Sequence, residues 1–301
     1  MGKGWWLLAV LALSGCLAGQ PTAAPSPAGC RLPISIGATG QAQGAFVEYP
    51  SGKVSIDPYG GGGYYDRVYS KWLPVTRNAV SADGMFYAFL DYKVPGTPGR
   101  ARLHIAQVIN GNEKVVDVGM DGSAFVVVDF APEGIWLSYS GYEAPSGGLL
   151  LQDARTAEFY DVGGPGMFQV VAGGPGVFWF TDGGLDPQTS PGMGGIYQAR
   201  MQRFTVSDGK KETWFTEPGK DLRVLGTDLA GTPVFTDGDV IRIASSPSET
   251  KVIDLPHGNY QLIADDHGIW FGGDHGIYLY SDSGGVKKVS DQAGSPNNGC
   301  F

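Results

Sequence analysis

Aspartates that close a recurring apolar phrase are the first candidates for chemistry in this chain. The phrase is clearest in Phe180-Thr181-Asp182-Gly183, and its copies place acidic side chains at Asp91, Asp182, Asp237 and Asp274, with Glu143, Asp186 and Asp239 nearby. Carboxylates gathered on one surface favour a divalent cation such as calcium, a basic ligand or the hydroxyl groups of a sugar. An Asp before Gly also commonly accepts backbone hydrogen bonds in a turn, so a structural role stays open.

Four histidines form the second set of candidates. His267 and His275 stand in two similar Asp-His-Gly-Ile phrases and look like a metal pair. A strand of about five residues at ~3.3 Å each separates them, so we expect them at opposite faces of the molecule. His257 is the better partner for His275, with two exposed turn histidines as the alternative. His104 lies inside a predicted strand, where a structural role is expected.

Aromatic side chains in a glycine-rich loop form the third set: Tyr64, Tyr65, Tyr69 and Trp72. Aromatic rings in such a loop can form a platform for a sugar or a peptide. The alternative is that they close a gap between two neighbouring sheets. Three other tryptophans, Trp136, Trp179 and Trp270, lie in predicted buried strands and are assigned to the core.

Motifs of the common catalytic classes are missing. The chain has no Gly-x-Ser-x-Gly nucleophile elbow, no His-Glu-x-x-His zinc helix and no Cys-x-x-Cys pair. The run Gly60–Gly63 lacks the helix and the Lys of a phosphate loop, so it is interpreted as a flexible turn. Glycosidases need only two carboxylates at a set separation, which keeps a carbohydrate-active hydrolase or lyase as an alternative.

The elements that would position these residues follow from the repeat. Copies of the phrase begin after Gly84, Gly134, Gly176, Gly231 and Gly268, at spacings of 37 to 55 residues. Each unit divides into four strands separated by turn signals, as in a β-propeller. With residues 31–76 as a further sheet, the sequence predicts an all-β, six-bladed β-propeller over 31–301. Five or seven blades, or an irregular β-sandwich, are the alternatives.

Strand alternation assigns every loop to one of two faces. The loops at 92–100, 141–148 and 183–195 fall on one face, which we call the long-loop face, together with the recurring acidic residues, His257 and His275. Tight turns such as Asp83-Gly84 and Asn110-Gly111 fall on the other, the turn face. Long loops on a rigid scaffold are the usual place for binding, so the long-loop face is the predicted binding face.

One unit resembles a known repeat. The stretch Val80-Ser81-Ala82-Asp83-Gly84-Met85-Phe86 is similar to the Ser-Pro-Asp-Gly repeat of TolB-type propellers, a WD-repeat-like pattern, with Ala82 in place of the Pro. The resemblance implies a propeller fold and an exported compartment. It covers about ten residues, which are too few to assign the binding partner of TolB to this chain.

Composition narrows the class of partner. The chain has 48 Gly and 20 Pro among 301 residues, which suits short strands and many turns. Its formal net charge of −9 argues against nucleic acid, because phosphate backbones require clustered Lys and Arg. A protein, peptide or glycan ligand remains open, as does a structural place in an envelope complex.

The N-terminus resembles a bacterial lipoprotein signal. Lys3 and an apolar run too short to span a bilayer precede Leu13-Ser14-Gly15-Cys16. The resemblance implies cleavage before Cys16, lipidation of its thiol and a lipid-anchored, extracytoplasmic place in the bacterial cell envelope. An ordinary secretory peptide or an uncleaved anchor is the alternative. Residues 16–30, rich in Ala, Pro, Gly and Ser, are then a flexible tether.

The two remaining cysteines, Cys30 and Cys300, stand at opposite ends of the predicted domain. In an exported protein such a pair favours a disulfide. The chain-entropy model values a loop of this length at roughly 4 to 5 kcal/mol before strain is subtracted. The pairing also predicts that the two ends of the domain meet.

Overall fold

The computed structural model describes residues 29–37, 41–92, 101–118, 123–141, 147–153, 157–160, 162, 168–185, 197–218 and 222–301. The described strands form seven antiparallel sheets, six of which are arranged as the blades of a propeller, as the repeat predicted, and one of which is a two-stranded hairpin. The predicted signal sequence (1–15) and most of the predicted tether (16–30) lie outside these ranges, while Cys30 already belongs to the first strand. Within them, no helix combines the length and apolar character needed to cross a bilayer.

Four blades have four strands in chain order. Blade 3 comprises Ser123–Ala131, Gly134–Gly141, Gly147–Gln152 and Ala157–Tyr160, and blade 4 comprises Phe168–Ala172, Val177–Leu185, Tyr197–Thr205 and Lys210–Pro218. Blade 5 comprises Leu222–Thr227, Pro233–Asp237, Val240–Ser246 and Glu249–Ile253, and blade 6 comprises Tyr260–Asp265, Gly268–Gly273, Gly276–Ser281 and Gly285–Ser290. Because the first strands of blades 3 to 6 contact one another in succession, they line the axis of the propeller, and we call the space along this axis the channel.

Blade 1 joins the two ends of the chain. Its strands Cys30–Ile36, Gln43–Tyr49 and Val54–Gly61 are completed by Ser295–Pro296, which pairs with the first of them. A disulfide between Cys30 and Cys300 secures this closure and confirms the predicted pairing. Backbone hydrogen bonds in both directions between Arg31 and Phe301 extend the contact.

Blade 2 departs from the predicted four strands. Phe86–Tyr92, Ala101–Gln107 and Glu113–Val118 form its sheet, but the predicted first strand at 79–81 is a 3-10 turn at Arg77–Ala79 followed by a single bridge from Val80 to Tyr87. A hairpin of Tyr64–Asp66 and Lys71–Leu73 precedes the turn. The Tyr64 amide donates to the Val75 carbonyl, which directs the incoming chain along the hairpin.

The core lies between blades. Separate apolar clusters fill the contacts between blades 2 and 3, 3 and 4, 4 and 5, 5 and 6, and 6 and 1. A further cluster packs the hairpin against blade 2 through Tyr64, Leu73, Val80 and Val108. Trp136, Trp179 and Trp270 are all buried, as predicted, because each blade is covered on both faces.

Candidate functional site

The recurring aspartates of blades 2, 4 and 5 form ion pairs inside their own sheets. Asp182 is buried, and its two oxygens accept hydrogen bonds from Arg200 Nε at 2.8 Å and Nη2 at 3.0 Å. Gln202 Nε2 donates to the same carboxylate at 2.7 Å. These carboxylates are occupied by partners in their own blade instead of forming an exposed rim.

Blades 2 and 5 repeat the arrangement. The Asp91 carboxylate pairs with Arg102, which lies directly opposite it on the next strand. The buried Asp237 carboxylate lies 3.2 Å from Arg242 Nε. In all three blades, an aspartate of the second strand therefore pairs with an arginine of the third strand. Asp182 lies inside Val177–Leu185, whereas the sequence had predicted it at the end of its strand.

The other predicted residues of the binding face are exposed. Asp239 and His257 lie 3.9 Å apart, and each side chain is 82% exposed. Asp274 and His275 are exposed as well, and the His275 ring lies close to Gly258. Glu143 and Asp186 lie outside the described residues. Among those described, no three His, Cys, Asp or Glu side chains are grouped to hold a metal ion.

A cavity of about 870 Å³ opens at the long-loop end of the channel. Asp239 and Asp274 are the predicted residues that line it. Gln169, Arg223 and Gln261, which the recurring phrase does not contain, line it too. All three are exposed second residues of first strands, in blades 4, 5 and 6. Three consecutive blades therefore present a long polar side chain at the same position beside the axis.

The backbone of Gln169 has an unusual conformation. It has a φ of +48°, one of two such values at described non-glycine residues. A long side chain is rarely found in this region without surrounding structure that enforces it, and such residues cluster at ligand sites. The strand register around Gln169 is irregular, so the first strand of blade 4 bulges where it lines the cavity.

The sequence did not lead us to predict Gln169, Arg223 and Gln261, because we expected the binding residues in the loops. A usable signal was present, since the first strands of blades 4 to 6 begin Phe168-Gln169-Val170, Leu222-Arg223-Val224 and Tyr260-Gln261-Leu262. Leu222 and Val224 pack between blades 4 and 5, and Tyr260 and Leu262 pack between blades 5 and 6, which leaves the middle residue of each strand for the channel.

The aromatic loop forms a packed hairpin. Tyr65 is buried and stacks on Phe301, with ring centroids 5.7 Å apart and planes at 12°. Phe46 and Trp72 pack around it at centroid distances of 5.0 and 5.1 Å. Tyr64 is buried in the cluster between hairpin and blade 2, with Tyr69 beside it. This is the gap-closing arrangement that was the alternative to a ligand platform.

The comparisons with known proteins give a fold likeness alone. No family model and no curated protein matches the chain. Among solved structures, it is similar to TolB from Acinetobacter baumannii at 10% identity and a TM-score of 0.48, covering 89% of this chain and 66% of that one. It is also similar to Pyrococcus horikoshii acylaminoacyl peptidase at 11% and 0.44, covering 67% and 37%.

A third structure is a putative 6-phosphogluconolactonase from Bacteroides uniformis, at 12% identity and a TM-score of 0.44, covering 87% of this chain and 97% of that one. The chain spans less than two thirds of the length of the peptidase and of TolB. With these TM-scores below 0.5, the likenesses carry no argument about activity.

Proposed function

We propose that this chain is a lipid-anchored, extracytoplasmic binding or scaffolding module whose ligand enters the long-loop end of the channel. The observation that carries the proposal is the cavity beside the axis, to which three successive blades contribute Gln169, Arg223 and Gln261. Its volume lies within the range of small-molecule sites.

A hydroxyl-rich ligand such as an oligosaccharide suits this cavity best. Two amides, a guanidinium group and the carboxylates of Asp239 and Asp274 provide donors and acceptors, while apolar side chains contribute little of the wall. Tyr260 adds one aromatic ring. Protein and peptide ligands are therefore the second choice, since their recognition requires larger apolar anchors.

A glycan array followed by calorimetry on the purified chain tests the binding proposal. We expect saturable binding of at least one oligosaccharide, weakened tenfold or more by Arg223→Ala and by Gln261→Ala. Arg203→Ala is the control, because Arg203 packs over Trp179 in blade 4, away from the cavity. Equal binding by all variants would remove the cavity from the proposal.

A propeller hydrolase or lyase is the second candidate function. Asp239 and Asp274 lie in the same cavity, and two carboxylates are the minimum that glycoside hydrolysis requires. Incubating any bound oligosaccharide with the wild type and with Asp239→Asn and Asp274→Asn separates the two functions. Cleavage that either substitution abolishes supports the enzyme, whereas an intact oligosaccharide supports the binding module.

The anchor and the compartment rest on Cys16 and on the disulfide. The signal pattern before Cys16 supports lipidation, and disulfides persist mainly in oxidising compartments. Expression of the full chain in a bacterium supplied with a clickable fatty acid should label the wild type and leave Cys16→Ser unlabelled. Labelling of both would contradict this part of the proposal.

A further inference from the structure

A second cavity, of about 600 Å³, opens at the opposite end of the channel, on the turn face. Its wall includes residues near blades 1 and 2, such as Arg67 and Arg77, and residues of blades 3 to 6, such as Asp129 and Asp265. This cavity is separate from the proposed oligosaccharide site, and more charged side chains line it.

Two guanidinium groups in this wall are held by aromatic rings. Arg67 lies 5.8 Å from the centroid of Phe301, and Arg77 lies 5.6 Å from that of Tyr64. Both side chains are exposed, and neither forms an ion pair with any residue that the structure describes. Ring contacts restrict a guanidinium group without neutralising it. Arg77 Nη1 donates to the Val80 carbonyl at 3.4 Å, and the other N–H groups of Arg77 can still donate to an anion.

The carboxylates of the cavity divide into occupied and available ones. Asp265 accepts hydrogen bonds from Trp270 Nε1 at 2.8 Å and from the Cys300 amide at 2.6 Å. Glu133 accepts one from Trp136 Nε1 at 3.1 Å. These two hold the second-strand tryptophans at the turn face and are structural.

Asp129 and Asp266 are the carboxylates that remain, and neither forms an ion pair with a described residue. Asp266 is exposed, whereas Asp129 is half-buried, so a counter-charge has the stronger effect at Asp129. Burial raises its pKa, the nearby Glu133 carboxylate raises it further, and the Arg77 guanidinium lowers it only in part. A cationic group arriving in the cavity would stabilise the charged form and so offset both contributions.

We propose that the turn-face cavity binds a small zwitterion, an amino acid or short peptide, whose carboxylate lies between Arg67 and Arg77 and whose ammonium group faces Asp129. Guanidinium groups bind carboxylates through paired N–H donors, and these hydrogen bonds strengthen in a partly enclosed site. The assignment is independent of the oligosaccharide site at the other end of the channel.

Calorimetric titration of the purified full chain with trialanine and with L-alanine tests the proposal. We expect saturable binding of at least one of them, and the stronger of the two identifies the source as peptide or free amino acid. N-acetylation and C-terminal amidation of that ligand should each weaken binding at least tenfold, because each removes one of the two charges.

Substitutions in the chain complete the test. Arg67→Gln and Arg77→Gln should each weaken binding about tenfold with an unchanged melting temperature, since both side chains are exposed. Arg31→Gln is the control, because Arg31 also lies over an aromatic ring, Phe46, but outside the cavity. Absence of saturable binding by both ligands, or equal binding by Arg77→Gln and the wild type, would overturn the proposal.

Discussion

Both oxygens of Asp182 accept hydrogen bonds within blade 4, so the prominent acidic residue of the repeat holds two strands together. The sequence placed Asp182 at the end of its strand but did not reveal Arg200 or Gln202 as partners. The sequence does not fix the register of these two strands, because no tight turn connects Val177–Leu185 to Tyr197–Thr205 directly. By contrast, Asp237 and Val240 flank a two-residue turn, which fixes the register of blade 5 and brings Arg242 close to Asp237, so this ion pair was predictable from spacing.

Replacing Asp182 with Asn should destabilise the protein by about 2 to 3 kcal/mol. The substitution leaves the Arg200 guanidinium without its counter-charge in a partly buried place, and the loss of one partner of such a pair is strongly unfavourable. Urea unfolding measures the change. Asp239→Asn is the matched control and should change stability by less than about 0.5 kcal/mol, since Asp239 is exposed.

Asp129→Asn should act in the opposite direction at neutral pH. The pKa of Asp129 is raised by burial, so the stability that this group contributes is present below its unfolded pKa and is lost as the pH rises through its folded value. The amide carries no charge to desolvate. We therefore expect the variant to melt above the wild type at pH 7, with the gain fading in acid. A gain that is constant with pH would contradict this.

The turns between strands decide how closely two neighbouring blades approach each other. Gly231 has a φ of +80°, and a Cβ built there would lie 2.0 Å from the Gly173 carbonyl oxygen of the preceding blade. The Trp179 indole also donates to the Gly231 carbonyl at 2.9 Å. Blades 4 and 5 thus meet backbone to backbone at the turn face.

Gly231→Ala should therefore destabilise the protein by clearly more than Gly111→Ala. Gly111 has a similar φ of +70°, but a Cβ there meets no atom of the described chain within 4 Å. The Gly111 variant should lose only about 1 to 2 kcal/mol from backbone strain, and thermal unfolding of both reports the difference. Similar losses would show that the blades can separate to admit a methyl group.

Second strands and tight turns were predictable, because buried aromatic phrases and Asp-Gly or Asn-Gly dipeptides carry local signals. The replacement of the predicted first strand of blade 2 by a 3-10 turn and a single bridge was not predictable. The residues Val80 and Ser81 have strand-like composition, but the hairpin before them fixes the direction of the chain through the Tyr64–Val75 hydrogen bond. That contact is tertiary, so no local pattern reveals it.

Across the whole molecule, the ring is closed by a strand of two residues and one disulfide. The number of blades followed from the spacing of glycines, and the disulfide followed from the count of cysteines. Ser295–Pro296 carries no strand signal, because two residues flanked by Gly294 show no period. Its place next to Ile34 and Ser35 depends on the closed ring itself.

Replacing both Cys30 and Cys300 with Ser should lower the free energy of unfolding by about 2 to 5 kcal/mol. The effect arises chiefly in the unfolded state, where a cross-link over 270 residues restricts the chain. Urea unfolding of the variant and of the reduced wild type should agree. An unchanged midpoint in both would show that the other blade contacts alone hold the ring.

The shared strand of blade 1 also imposes an order on biosynthesis. Blades 3 to 6 can each form from a continuous stretch of chain, but blade 1 lacks its innermost strand until residues 295–296 have been made. Until then Leu32 and Ile34, both fully buried in the closed ring, have no partner on that side. The ring therefore cannot close before residues 295–296 have been synthesised, whereas the four strands of each of blades 3 to 6 are complete earlier.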